Sequence, residues 1–350
     1  MTQLNPHFVV RPDWLQMAHE DIVAPDQPIL DAHHHLWDRP EGRYGARELL
    51  NDVSSGHDVR ASIYVQCRTG YRTDVETPLQ SVGEVETILA WCNGQPNYPA
   101  ALVAFADLQL GSGVRDVLDK LIEAGKGRVC GIRNSTAYHP HPAVRSNPKP
   151  PPDGLLRSDA FLAGARTLAD YGLTLDIWAY HTQLGEVFDL AAAVPDLTVV
   201  IDHCGGPLGV GPYSSGAPEV FATWQDDIAS LAKLPNTRVK IGGFGLTVFG
   251  YRYADAPMPP SSAALASDWS AYFGHCLESF GPQRAMFESN FPVDKGQFGY
   301  RTLWNAFKRL AGGLGAQERD DLFWRTAARC YGINEQIFSN GTGRNMSCGN

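Results

Sequence analysis

Three histidines stand in a row in the segment 29–38, ILDAHHHLWD. If the residues before them form a strand, His33 and His35 project to one side and His34 to the other, because side chains alternate along a strand. Two imidazole nitrogens on one side make half a site for a divalent metal such as zinc. Asp31, two residues earlier, is placed to hold the ring of His33 from behind. His203 stands in VVIDHCGGP, where an apolar run meets a glycine turn that lets backbone approach a ligand closely. Arg133 stands in GIRNS, where a guanidinium can grip a substrate carboxylate through paired hydrogen bonds. Asn290 and Asp294 lie in MFESNFPVDK and could face the same pocket. Tyr180-His181 follows LTLDIW, and His181 reads equally well as a ligand or as the first residue of a helix. Each residue also has a plain reading: solvated histidines, a structural His203, a surface ion pair for Arg133.

These residues act together only if one framework gathers them. Eight short, largely apolar runs recur at 28–31, 61–66, 100–108, 128–133, 173–178, 197–202, 237–241 and 285–288. Runs apolar throughout suit parallel strands buried on both faces. Amphipathic stretches alternate with them at 79–92, 114–124, 159–171, 183–194, 219–234, 267–280, 301–310 and 316–331, with Ser158 and Gly172 as end signals for the third. Eight β-α repeats predict an α/β fold of the (β/α)8 TIM-barrel type. The rival is a doubly wound open sheet, but no GxGxxG follows an early strand. In a barrel, the carboxyl ends of all strands open on one mouth, and the candidate residues all sit at such ends. Two stretches, the proline-rich 134–156 and the Gly/Tyr/Pro/Ser-rich 244–262, follow strands four and seven. They are expected as long βα loops that shape or cover the mouth. The expected organisation is an N-terminal extension over 1–27, a barrel over 28–338 and a flexible tail over 339–350.

The chain has 350 residues, with 29 Lys and Arg against 38 Asp and Glu and a formal charge of −9. That length fits one decorated barrel or two ordinary domains. The acidic balance, without any basic run, argues against a nucleic-acid partner. The first ten residues lack the basic and apolar regions of a signal peptide, and no apolar stretch reaches the ~18 residues of a membrane span. Seven cysteines without a CxxC pair read as reduced thiols and a cytoplasmic location.

With these pieces placed, the sequence resembles the amidohydrolase superfamily, in the branch of barrel hydrolases that holds sugar-acid lactonases and 2-pyrone-4,6-dicarboxylate lactonase. The marks are DAHHHLWD, YVQ, GIR, IDHCGGP, VKIGG and FESNFPVD, spread from about Ile29 to Tyr331. The resemblance implies that His33, His35 and His203 hold a divalent metal, zinc or manganese, and that Arg133 holds an anionic small-molecule substrate; the family varies at the strand-five position, so Tyr180 and His181 are expected near the substrate from their place after that strand alone. It implies a hydrolase that opens a lactone or similar cyclic ester. One position departs from the pattern. The family's strand-eight aspartate stands in SDxP, whereas this chain reads Ser289-Asn290-Phe291-Pro292. Asn cannot accept a proton at useful pH. Asp294 then supplies the base, or His181 or His203 does, or a metal-free mechanism runs. A decarboxylase or hydratase, and a non-catalytic metabolite-binding barrel, are the alternatives. The oligomeric state stays open, a homo-oligomer included.

Overall fold

The computed structural model of the chain describes residues 7–40, 42–147 and 149–339. Its centre is a sheet of eight strands in chain order. They are β1 (Pro28–His34), β2 (Asp58–Val65), β3 (Ala101–Ala104), β4 (Val129–Ser135), β5 (Thr174–Trp178), β6 (Val199–Ile201), β7 (Thr237–Ile241) and β8 (Ala285–Phe287). Every neighbouring pair runs parallel. The ring closes just beyond β8. The His35 N–H donates to the Phe291 carbonyl at 2.7 Å, and the Asn290 N–H donates to the His33 carbonyl at 2.8 Å. The result is the (β/α)8 barrel that the repeats predict.

The strands form where β-branched and apolar residues leave no polar face. All of β5 and β6 is buried. Helices cover the outside. Asp159–Asp170 begins where the Ser158 hydroxyl accepts the Phe161 N–H at 3.2 Å, and Gly172 follows its end with φ +65°. Both end signals are those read from the sequence.

Three local differences have physical causes. The expected helix 316–331 is one rod interrupted by a wide π-turn, Asp321–Arg325, between Ala316–Asp320 and Thr326–Tyr331. The wide turn brings three successive bulky residues, Leu322, Phe323 and Trp324, into the core. The expected helix 267–280 begins earlier, at Ser262, because Ser261 caps Ala264 N. A two-stranded hairpin, Trp37–Arg39 with Gly42–Tyr44, and a helix, Ala46–Val53, follow β1 without having been expected, since three-residue strands carry no readable period. The expected tail beyond residue 339 and residues 1–6 of the expected extension lie outside the described residues. Residue 339 itself ends a helical turn, Gln336–Ser339. No described helix is long and apolar enough to cross a membrane. The six cysteines among the described residues are all free.

Candidate functional site

Strand alternation does what the sequence suggests at the end of β1. His33 and His35 are both buried, and their Nε2 atoms lie 3.2 Å apart. The Nδ1 of His35 lies 2.7 Å from the Val65 carbonyl, which can only accept. Nδ1 therefore carries the hydrogen, and the lone pair of Nε2 faces His33. Burial pushes both rings well below the ordinary imidazole range, so both are neutral. His34 turns the other way and meets the ring of Tyr64 edge-on at 6.0 Å. Burial lowers its pKa to about 3, and it is packing rather than chemistry.

His203 follows β6 with φ +53°, a conformation that L side chains rarely adopt. Its ring centroid lies 4.7 Å from that of His33, and Trp178 meets it edge-on at 4.9 Å. Sequence and structure thus agree that residue 203 joins the 33/35 pair.

Beneath these rings lies a set of buried charges that the sequence reading passed over. Glu288, just past β8, places Oε1 2.6 Å from His203 Nδ1 and Oε2 2.9 Å from His33 Nδ1. Burial alone would raise its pKa, but the two imidazoles outweigh that and hold it at about 2. Lys240 of β7 stands fully buried, 2.7 Å from Asp176 Oδ2, 3.3 Å from Asp202 Oδ1 and 3.3 Å from His33 Nδ1. Tyr331 donates to Asp176 at 2.7 Å. The signal for these residues was present: an isolated charge inside an apolar strand run, in LTLDIW, VVID, VKI and MFE, must point inward to a partner.

A group formed by His33, Asp202 and His203 brings potential metal-ligating atoms within 4.8 Å of one another. On the Nδ1 side of His33, however, the Lys240 ammonium already supplies the positive charge. The Nε2 side is different. Two imidazole nitrogens 3.2 Å apart, in hydrogen-bond contact, match the spacing of two ligands of one cation with bonds of about 2.0–2.1 Å. Three carboxylates (Asp176, Asp202 and Glu288) surround the rings against two cations, Lys240 and Arg133. The donor set therefore fits a divalent metal on the Nε2 atoms of His33 and His35.

Arg133 of β4 is buried, donates through Nη2 to the Gln66 carbonyl, and lies 3.9 Å from Asp202 Oδ2. Its Nε has no hydrogen-bond partner among the described residues. Asn290 has φ +53° and donates through Nδ2 to Asp294 Oδ1 at 2.8 Å. The Gly245 N–H donates to the other Asp294 oxygen at 2.9 Å. Burial raises Asp294 to about 7. The remaining two residues belong to the wall. Tyr180 spends its hydroxyl on Ser146, bonding Oγ at 2.8 Å and accepting from its N–H at 2.9 Å. His181 opens a short helical turn, His181–Gln183, accepts the Leu208 N–H at 3.2 Å and packs against Tyr213.

The amidohydrolase family profile matches residues 30–333. Among curated proteins, the chain is 28% identical over 333 residues to y4mH of Sinorhizobium fredii, covering 88% of this chain and 99% of that protein. It is 29% identical over 180 residues to an L-fucono-1,5-lactonase of Burkholderia multivorans, covering 50% of this chain and 56% of that enzyme. Among solved structures, an amidohydrolase of Burkholderia multivorans with bound zinc superposes with a TM-score of 0.69 at 23% identity, over 87% of this chain and 99% of that one. A 5-carboxyvanillate decarboxylase of Novosphingobium aromaticivorans complexed with manganese shares the fold at a TM-score of 0.56 and 12% identity, over 88% and 97%.

Proposed function

The chain belongs to the amidohydrolase family, and on that premise we propose that it hydrolyses a lactone or similar cyclic ester of a small carboxylated or sugar-acid metabolite. One observation carries the reading: two neutral imidazoles point their Nε2 atoms at one place, 3.2 Å apart, at the barrel mouth. The lactonase and the zinc-bound amidohydrolase among the similar proteins support it.

His33 and His35 hold the metal, with His203 beside them. Zinc is the proposed ion and manganese the second choice, since imidazole suits either. When bound, such an ion polarises the ester carbonyl and makes water more acidic. Arg133 receives the substrate carboxylate, and its unpartnered Nε is the donor left for it. Asp294 accepts the proton of the attacking water, because a carboxylate held near 7 is matched to neutral pH. Asn290 holds Asp294 in place. The water oxygen bonds to the carbonyl carbon, the ring C–O bond breaks, and the proton passes to the departing alkoxide, giving a hydroxy acid.

The test pairs metal analysis of the purified chain with proton release on a panel of sugar-acid and dicarboxylate lactones. Zinc near one per chain with turnover of a carboxylated lactone is expected. A metal-free chain that turns over no lactone overturns the reading. Asn290, in place of the strand-eight acid, favours a second reading, a decarboxylase. Carbon dioxide release from an aromatic or enolic acid, without lactone hydrolysis, would establish it instead.

A further inference from the structure

The segment before β1 is fastened along the outside of the barrel. The Glu20 carboxylate accepts the Ser262 N–H at 2.6 Å and the Asn305 amide at 3.1 Å. Asn305 Oδ1 accepts the Val23 N–H at 2.8 Å, and Lys308 donates to the Ala24 carbonyl at 2.9 Å. Ahead of this attachment, residues 7–14 reach the loops of the mouth.

Three of those loops meet the strap. His7 stacks on Trp37, in the hairpin after β1, at 5.9 Å between ring centroids. Arg11 Nη2 donates to the Ala254 carbonyl, and Trp14 Nε1 donates to the Ala256 carbonyl at 3.1 Å, both in the loop after β7. The Arg11 guanidinium lies 4.4 Å over the Trp14 ring, so the two side chains act as one unit. Phe8 packs on Gly296, after β8, so closely that a Cβ there would strike the Phe8 carbonyl.

These contacts converge on Asp294. Gly296 closes the turn Asp294–Gly296. Gln297 follows it, fully buried, and commits both ends of its amide to the loop after β7. Its Oε1 accepts the Ala254 N–H at 2.9 Å, and its Nε2 donates to the Tyr251 carbonyl at 2.6 Å. Ala254 is thus gripped from two sides, by Gln297 at its N–H and by Arg11 at its carbonyl. At the start of the same loop, the Gly245 N–H donates to Asp294 Oδ2 at 2.9 Å, and a Cβ on Gly245 would lie 2.7 Å from the Asp294 carboxyl carbon. Strap, loop and turn close a triangle with the carboxylate inside it.

We propose that Arg11 and Trp14 are positioning residues for the reaction: they press the loop after β7 against the Asp294 turn and so fix where the carboxylate points. The role of Asp294 rests on the lactonase reading above; the coupling of strap to turn does not. A strap that only stabilised the barrel would behave alike along its whole length. A positioning strap divides into a lower half that attaches and an upper half that aims.

The experiment compares R11A/W14A with Asn305→Ala in the full chain, by zinc content, kinetics on the lactone panel and deuterium uptake. The double variant should keep its zinc and its KM and lose kcat by about 10- to 100-fold, the scale set by a small misplacement of a reacting group. Uptake should quicken at amides 245 and 254. It should stay unchanged at amide 67, which donates to Glu84 on the β2 side. N305A should lower the thermal midpoint and leave kcat as it was. Arg11 is exposed, so R11A alone keeps the fold and should show the same changes in smaller degree, with Arg11→Lys restoring most of kcat because a donor to Ala254 remains. A double variant that fails to fold therefore does not shield the proposal. Native kcat in the strap variants overturns it, as does an equal loss of kcat in N305A or a loss of zinc in R11A. If the native chain turns over no lactone, the lactonase reading fails by itself. Uptake then decides the coupling: faster exchange at 245 and 254 sustains it, and unchanged exchange overturns it.

Discussion

Two buried polar groups meet inside this barrel, and they are built on opposite principles. Around Lys240, charge is closed. The ammonium is bracketed by Asp176 and Asp202, and Tyr331 donates to Asp176. Around His33 and His35, capacity is left over: the Nε2 lone pair of His35 meets only the Nε2 of His33, 3.2 Å away. The groups touch at His33 Nδ1, which lies 3.3 Å from Lys240 Nζ and 3.5 Å from Asp202 Oδ1. Burial alone therefore does not mark a site, since both groups are almost fully buried. What marks it is an unspent donor set. The Lys240 group belongs to the architecture, and the imidazole group is available to a ligand.

That division can be broken from either side. The largest effect is expected from His35→Ala, which removes one of the two facing nitrogens. Bound zinc should be lost and lactone turnover should fall to background, beyond the 10- to 100-fold of an indirect change. Its thermal midpoint without metal should stay near that of the parent. The mirror-image case is Lys240→Met, which leaves two aspartates buried without their cation. It should cost about 3–5 kcal/mol of stability in denaturant titration, as broken buried pairs do. If K240M is as stable as the parent, the closed group is not structural and the contrast fails.

Asp294→Asn should lower kcat by about 100-fold with zinc content unchanged, the low end for a lost general base. The same residue gives a pH signature. Burial raises its pKa from 3.8 to about 7, so the fold favours the neutral acid. Its contribution to stability is full below about pH 4 and is lost as pH rises through 7. Activity needs the carboxylate and should rise over the same interval. A kcat/KM profile flat from pH 5 to 8 would remove Asp294 from the proton path. The smallest effect is expected at Ser146, which ties the loop after β4 to Tyr180 and, through Trp178 Nε1 at 3.0 Å, to the ring that packs on His203. Ser146→Ala should cost about 1 kcal/mol and raise KM more than it lowers kcat.

The barrel and the imidazole cluster were legible because both follow from short-range rules. Eight buried runs separated by helices leave few topologies, and alternation places residues 33 and 35 together while sending 34 away. The turn after β6 carried residue 203 to the same mouth. Glu288, Lys240 and Asp176 were missed because their meaning is pairwise. An acid in MFE and a lysine in VKI look like isolated irregularities until the ring closes and brings them within 3.5 Å of a partner. The break in the last long helix escaped for a related reason: three bulky residues in a row suit a helix locally, and only the core behind them asks for a wider turn.

The seam of the ring has a consequence of its own. The two backbone bonds that fasten the last strand to the first run through His33, His35, Asn290 and Phe291, so the barrel is stitched shut by the same residues that present the imidazoles. Whatever occupies those rings also braces the stitch. Slowed deuterium uptake at the amides of residues 35 and 290 would report occupancy directly, and the ring's resistance to opening would climb with the logarithm of ligand concentration.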